Sequence, residues 1–163
     1  VHGSYGRCRI AEPMDSGDAI GRRMAARIAH CHCGQLQIVT TAEPYAVVMC
    51  HCRGCQQRTG APFGVGAYFQ LSDCNISGQS NIYVRSGASG SNFENRFCPD
   101  CGTTVYWLTP FHPEAVGIAA GAFEGDDLPA PSRSVWESER HHWVDVPTED
   151  RWIEGRNDPR VGD

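Results

Sequence analysis

Cys50-His51-Cys52-Arg53-Gly54-Cys55 places three thiols within one short stretch of chain. On an extended backbone, side chains two apart project from the same face, so Cys50 and Cys52 point together while His51 points to the other side. The C-x-x-C spacing from Cys52 to Cys55 lets a turn bring a third sulfur to the same point. Two related clusters lie outward from it: Cys31-His32-Cys33-Gly34 upstream, and Cys98-Pro99-Asp100-Cys101-Gly102 downstream. Seven of the nine cysteines fall in these clusters, and only Cys8 and Cys74 stand apart. A lone C-x-x-C is weak evidence, because surface turns and redox pairs share it. A redox pair needs a βαβ context, which the pattern here lacks. Three clusters in one small chain point to metal, and thiolates in tetrahedral array point to zinc.

Seven ligands divide as four plus three. Four thiolates close a structural site, whereas three leave one tetrahedral position for water or substrate. Spacing alone does not settle which clusters pair. The continuous Cys50, Cys52 and Cys55 group is the natural three-ligand site, which leaves Cys31 and Cys33 to meet Cys98 and Cys101 across a long stretch of sequence. Such a staple would contribute folding free energy directly. Cys74 reads as a buried or turn thiol; as a fourth ligand of the second site it would instead remove the argument for catalysis.

The rest of the sequence is that of a mainly β domain. With 163 residues the chain fits one domain. Runs rich in Val, Ile, Tyr, Phe and Thr predict strands at 35–41, 45–49, 65–69, 82–84, 92–97, 103–108, 115–120 and 134–136. Arg53 to Thr59 reads as a short helix closed by Gly60. Residues 1–23 form an N-terminal extension, 24–150 the zinc-binding domain, and 151–163 a polar, loosely held tail. Within the extension, either Met24 is the natural start, or Asp18 caps a helix carrying Ile20, Met24 and Ile28 on one face. The net charge of -5, with every cation an arginine, argues against nucleic acid as a partner. No apolar run is long enough to span a bilayer. No secretory signal is present at residues 1–23, so the expectation is a cytoplasmic protein with no membrane partner, a homo-oligomer being left open.

The clusters, together with Gln56-Gln57-Arg58-Thr59-Gly60-Ala61 after Cys55 and Phe97 and Thr103 flanking the last cluster, resemble the glutathione-dependent formaldehyde-activating enzymes, a family that includes centromere protein V. The likeness covers roughly residues 28–147, with Trp143-Val144-Asp145-Val146-Pro147 as a closing segment. It implies a β-tent of packed antiparallel sheets stapled by zinc, with two zinc ions per chain. Positions matching Cys31, Cys33, Cys98 and Cys101 hold the structural ion and those matching Cys50, Cys52 and Cys55 the catalytic one, in agreement with the four-plus-three division. The implied reaction is that of a carbon–sulfur lyase, which joins formaldehyde to the thiol of glutathione to give S-hydroxymethylglutathione. Two departures bear on the substrate. The N-terminal extension has no counterpart, and many relatives carry a His before the closing Trp where this chain has Ser132-Arg133-Ser134.

An open three-cysteinate site suits thiol chemistry, since coordination deprotonates a thiol whose free pKa is about 8.5. Arg53 and Arg58 are the candidate contacts for glutathione carboxylates, or else solvated residues of a short helix. His51, His30 and His32 read as packed or supporting residues rather than ligands, His141 and His142 as a partly exposed strand end, and the four tryptophans as core. Two other functions compete with the enzyme: a non-catalytic zinc protein that binds glutathione or another small thiol, and an interaction module using zinc only to fold. The second should carry a basic extension, and the acidic balance and missing lysines of this chain speak against it.

Overall fold

The architecture follows from short β-branched and aromatic runs separated by glycine and proline, which favour strands joined by tight turns over helices. A computed structural model describes residues 25–87, 90, 92–155 and 161. Ten strands form two sheets. The smaller is antiparallel, in the order β1 (Arg27–His30), β2 (Gln37–Thr40), β5 (Cys74–Ser77). The larger runs β10 (Arg133–Val135), β3 (Ala46–Cys50), β4 (Gly64–Gln70), β9 (Ala115–Ala119), β8 (Thr104–Leu108), β7 (Asn92–Phe97), β6 (Asn81–Ser86). All its pairs are antiparallel except β10 with β3. One helix, α1 (Arg53–Thr59), follows β3 and ends at Gly60, whose φ of 66° takes the left-handed cap that glycine favours.

Strand alternation divides the large sheet into two faces. Val47, Ala67, Phe69, Tyr106, Val116 and Ile118 pack with Ala29 and Ile38 of the small sheet, and with Leu36 just before β2, into one apolar core. The other face is unusual in its glycines. Register places Tyr68 opposite Gly117 and Gly117 opposite Trp107, with Gly66 two residues before Tyr68 on the same face of β4. A Cβ on Gly66 would sit 2.5 Å from the Trp107 ring, and one on Gly117 2.3 Å from it. The two glycines therefore clear a flat bed on which the indole lies, and Tyr68 meets the ring edge-on at a centroid distance of 6.0 Å.

Every strand expected from the sequence is found, and so is α1 with its Gly60 cap. Two strands were not expected. β1 occupies Arg27–His30, so a helix carrying Ile28 does not extend into the described residues; the remainder of that proposed helix lies outside them. β5 begins at Cys74, whose stretch has too little apolar character to announce a strand but pairs with Val39 and Thr40 of β2. The start of the expected loose tail is also held: Ser134 donates its amide to Asp150, and Trp152 donates back to Ser134. No helix among the described residues is long and apolar enough to cross a membrane.

Gly117→Ala should destabilise the fold by about 1–3 kcal/mol through overpacking against Trp107, read as a lower urea midpoint. An unchanged midpoint would show that the indole does not rest on this bed.

Candidate metal centre and active site

Two groups of sulfurs form, each with all its Sγ atoms within 4.8 Å of one another: Cys31, Cys33, Cys98 and Cys101 in one, Cys50, Cys52 and Cys55 in the other. The first joins the two sheets. Cys31 and Cys33 sit in the turn between β1 and β2, where Gly34 donates its amide to Cys31. Cys98 and Cys101 sit in the turn between β7 and β8, where Gly102, with a φ of 74°, donates to Cys98. Four sulfurs at 2.3 Å from a tetrahedral ion lie about 3.8 Å apart. The observed Cys31–Cys33 and Cys33–Cys98 separations are 3.5 and 3.6 Å, so the group has nearly the spacing that zinc requires. Hydrogen-bond donors surround these sulfurs. The Leu36 amide points at Cys31 Sγ at 3.3 Å, and Gln35 Nε2 at Cys98 Sγ at 3.1 Å. Thr103 lies 3.3 Å from Cys101 and, with its own amide, pulls that thiol down to about 5. Such bonds favour thiolate and orient it for metal.

The second group stands on the glycine-rich face. Cys50 ends β3, and Cys52 is the residue from which α1 starts, its carbonyl accepting the amides of Cys55 and Gln56. The three sulfurs share charge unequally. Hydrogen bonds from Cys50 and then Cys55 hold Cys52 far below the ordinary thiol range, while the same bond to Cys52 and burial push Cys50 well up. Cys74 lies on β5 of the other sheet and is no part of the group, which leaves it a three-protein-ligand set among the described residues.

A cavity of about 150 Å³ opens over this trio, walled by Val48, Tyr68, Phe93, Trp107, Val135 and Trp136, with Arg58 and Arg85 at its side. Arg58 on α1 lies over the Trp107 ring at 4.6 Å and Arg85 on β6 over Phe93 at 4.9 Å, both within cation–π range. Arg85 Nη2 is 3.8 Å from Cys55 Sγ. Its Nε is buried without a hydrogen-bond partner, leaving a donor in this wall for an anion. Glycines again make the room. A Cβ on Gly54 would meet Arg85 Nη1 at 2.7 Å, and one on Gly64 would meet Arg58 Nη2 at 2.8 Å. Burial pushes the Tyr68 phenol above its ordinary value, only partly offset by a hydrogen bond with Trp107, so it keeps its proton through the neutral range.

Of the two arginines expected at the site, the structure brings only Arg58 to it. Arg53 faces the other side of α1, where its amide donates to Glu139 and its guanidinium to Gln56. That side opens on a separate groove with His141 and the exposed Trp143. Sequence reading missed Arg85, since only strand pairing carries β6 across the sheet to Cys55. Trp107 and Trp136 wall the cavity rather than serving the core alone. Neither His30 nor His32 is a ligand: His30 approaches the Cys31 carbonyl and Glu124, and the amide of His32 donates to Thr103.

His51 lies beneath the trio, wholly buried. Its Nε2 is 3.2 Å from Ser134 Oγ, which in turn donates to Glu137. Glu137, 5% exposed, also takes Arg140 Nε and Arg151 Nη2 at 2.8 Å each. Burial alone would raise the Glu137 carboxyl; the bonds from Arg151 and Ser134 outweigh it and hold it below the ordinary carboxylate range. Burial pushes the His51 imidazole down, so it is neutral near pH 7.

Residues 26–139 match the glutathione-dependent formaldehyde-activating enzymes. The chain belongs to this family. All seven clustered cysteines lie within the part of this family member that matches. No curated protein is significantly similar to the chain. A crystal structure of a Rhodobacter sphaeroides protein is similar to it at 23% identity and a TM-score of 0.45, covering 61% of this chain and 90% of that one.

Removing one partner of a buried, hydrogen-bonded ion pair strands the other charges, so Glu137→Ala should cost about 2–4 kcal/mol in chemical denaturation. A loss under about 0.5 kcal/mol would mean that Arg140 and Arg151 are solvated rather than paired.

Proposed function

We propose that the chain is a zinc-dependent enzyme of the carbon–sulfur lyase type, condensing formaldehyde or a related small aldehyde with the thiol of glutathione or a similar thiol. The observation that carries this reading is the cavity over Cys50, Cys52 and Cys55: three sulfurs converge in the lining of a concave space that two guanidinium groups share. The all-sulfur donor set suits zinc. In this reading the four-cysteine group holds the structural ion, stapling the two sheets as a β-tent, and the trio holds the catalytic one.

Zinc at the trio would supply the charge that turns an incoming thiol into thiolate at neutral pH. The protein's own residues do the rest. Arg85, beside Cys55, offsets the negative charge that clustered thiolates build up. Arg58 and Arg85 offer forked donors to the carboxylates of a peptide thiol, placing its sulfur over the trio. The apolar walls exclude water and hold the aldehyde against that sulfur. Tyr68, protonated and facing the cavity, donates a hydrogen bond to the aldehyde oxygen. As the carbon–sulfur bond forms, the carbonyl electron pair moves to oxygen, which takes a proton equivalent to the one the thiol lost. The eight cysteines of the described residues are free thiols, which suits a reducing compartment such as the cytoplasm.

A carrier that binds the thiol without accelerating its reaction is the second reading, because thiols and formaldehyde already combine in water. Metal analysis should find two zinc ions in the unaltered chain and one in Cys52→Ser with the fold kept, whereas Cys98→Ser should lose solubility or fold. Exchange NMR on glutathione and formaldehyde should show faster interconversion with the unaltered chain at micromolar concentration and none with Cys52→Ser. Equal rates with and without protein would leave the carrier.

A further inference from the structure

Trp136 is the one non-glycine residue among those described with a positive φ, at 60°. For an L-residue this left-handed backbone is strained, and a bulky side chain makes it a true outlier. Its ring walls the cavity over the cysteine trio. Strain of this kind persists only where the surroundings over-determine it, and it gathers at ligand-contacting sites.

Those surroundings are the residues at 150–154. Ser134 donates its amide to Asp150, Trp136 to Glu154, Glu137 to Trp152 and Ser138 to Ile153, while Trp152 donates to Ser134. Five backbone bonds thus bracket the strained residue on both sides. Arg151 adds a side-chain clamp, reaching Glu137 Oε2 at 2.8 Å. Glu137 leads through Ser134 to His51, between two cysteines of the trio. This strap lies beyond residue 139, where the family match ends.

We propose that Trp136 is a specificity-determining residue that closes the cavity around the thiol substrate, and that residues 150–154, through Arg151 and their backbone bonds, are the positioning device that holds it there. The inference rests on the cavity being the thiol site. Without the strap the 134–138 segment would relax toward ordinary φ and swing the indole off the cavity wall. The pocket would widen over the sulfurs and lose its fit to a thiol held against the trio. The strap therefore belongs to the active site rather than to a dispensable tail.

Calorimetric titration of glutathione into the zinc-loaded full chain tests this, with hydrogen exchange at the Trp136 and Glu137 amides as a second readout. Trp136→Gly accepts the left-handed backbone, so fold and metal content should persist while the dissociation constant rises about ten-fold. Should that variant not fold, Trp136→Asn, which also tolerates this conformation, takes its place. Trp136→Phe, which keeps an aromatic wall, should stay within about three-fold of the unaltered chain. Arg151→Ala should speed exchange at both amides and weaken binding in the same direction, with Arg151→Lys in between. Binding by Trp136→Gly or Trp136→Asn within about two-fold of the original overturns the role of the ring. Faster exchange in Arg151→Ala with unchanged affinity overturns the role of the strap. Absence of glutathione binding by the unaltered, zinc-loaded chain fails the thiol-site reading itself, and shows before any substitution is made.

Discussion

Four sulfurs from two distant hairpins must come together within a few ångströms, and the rest of the molecule depends on that convergence. Cys31 and Cys33 belong to the small sheet and Cys98 and Cys101 to the large one, so the group fixes how the two sheets face each other. Thiolates left together without a counter-charge would repel. A cation shared by the four sulfurs would resolve the repulsion and add its binding free energy to folding, as in small metal-stapled domains.

With one face of the large sheet committed to the core, function falls to the other. Its construction is subtractive. Gly66 and Gly117 clear the bed for Trp107, and Gly64 and Gly54 admit the guanidiniums of Arg58 and Arg85. Gly54 lies in the first turn of α1, where glycine weakens a helix. The position is better explained by what it lets in than by the helix it sits in. Flat aromatic floor, two guanidinium groups and sulfur trio come together on this one face.

Much of this was legible in the sequence, for reasons that differ from residue to residue. The cysteine clusters could be read because ligand spacing is a local constraint: two residues on a strand, or three across a turn, put sulfurs side by side wherever the chain goes next. α1 was announced by its Gly60 stop. Arg85 and Trp136 were not legible, because each reaches the site through pairing between strands remote in sequence, and nothing beside either residue carries that information. Cys74 reads from the sequence as a buried or turn thiol, and its alternative role as a fourth ligand of the trio falls away once β5 places it in the other sheet. The strap was hidden by its polarity, since its order comes from backbone hydrogen bonds and one buried ion pair rather than from apolar burial. His51 reads from strand alternation as a packed or supporting residue, and it is wholly buried.

The lone parallel pair in the large sheet has a bearing on how the molecule comes into being. β10 cannot lie beside β3 until the whole stretch between them has been laid down, and the 150–154 segment can add itself only after that. Distant pairings of this sort form slowly, because the loop must close before any contact rewards it. On a ribosome, the Cys50, Cys52 and Cys55 thiols emerge long before the wall that will shelter them, and wait exposed to oxidants and stray metals. Maturation of this protein is therefore most exposed to error in the interval between synthesis of its Cys50–Cys55 turn and that of residues 150–154.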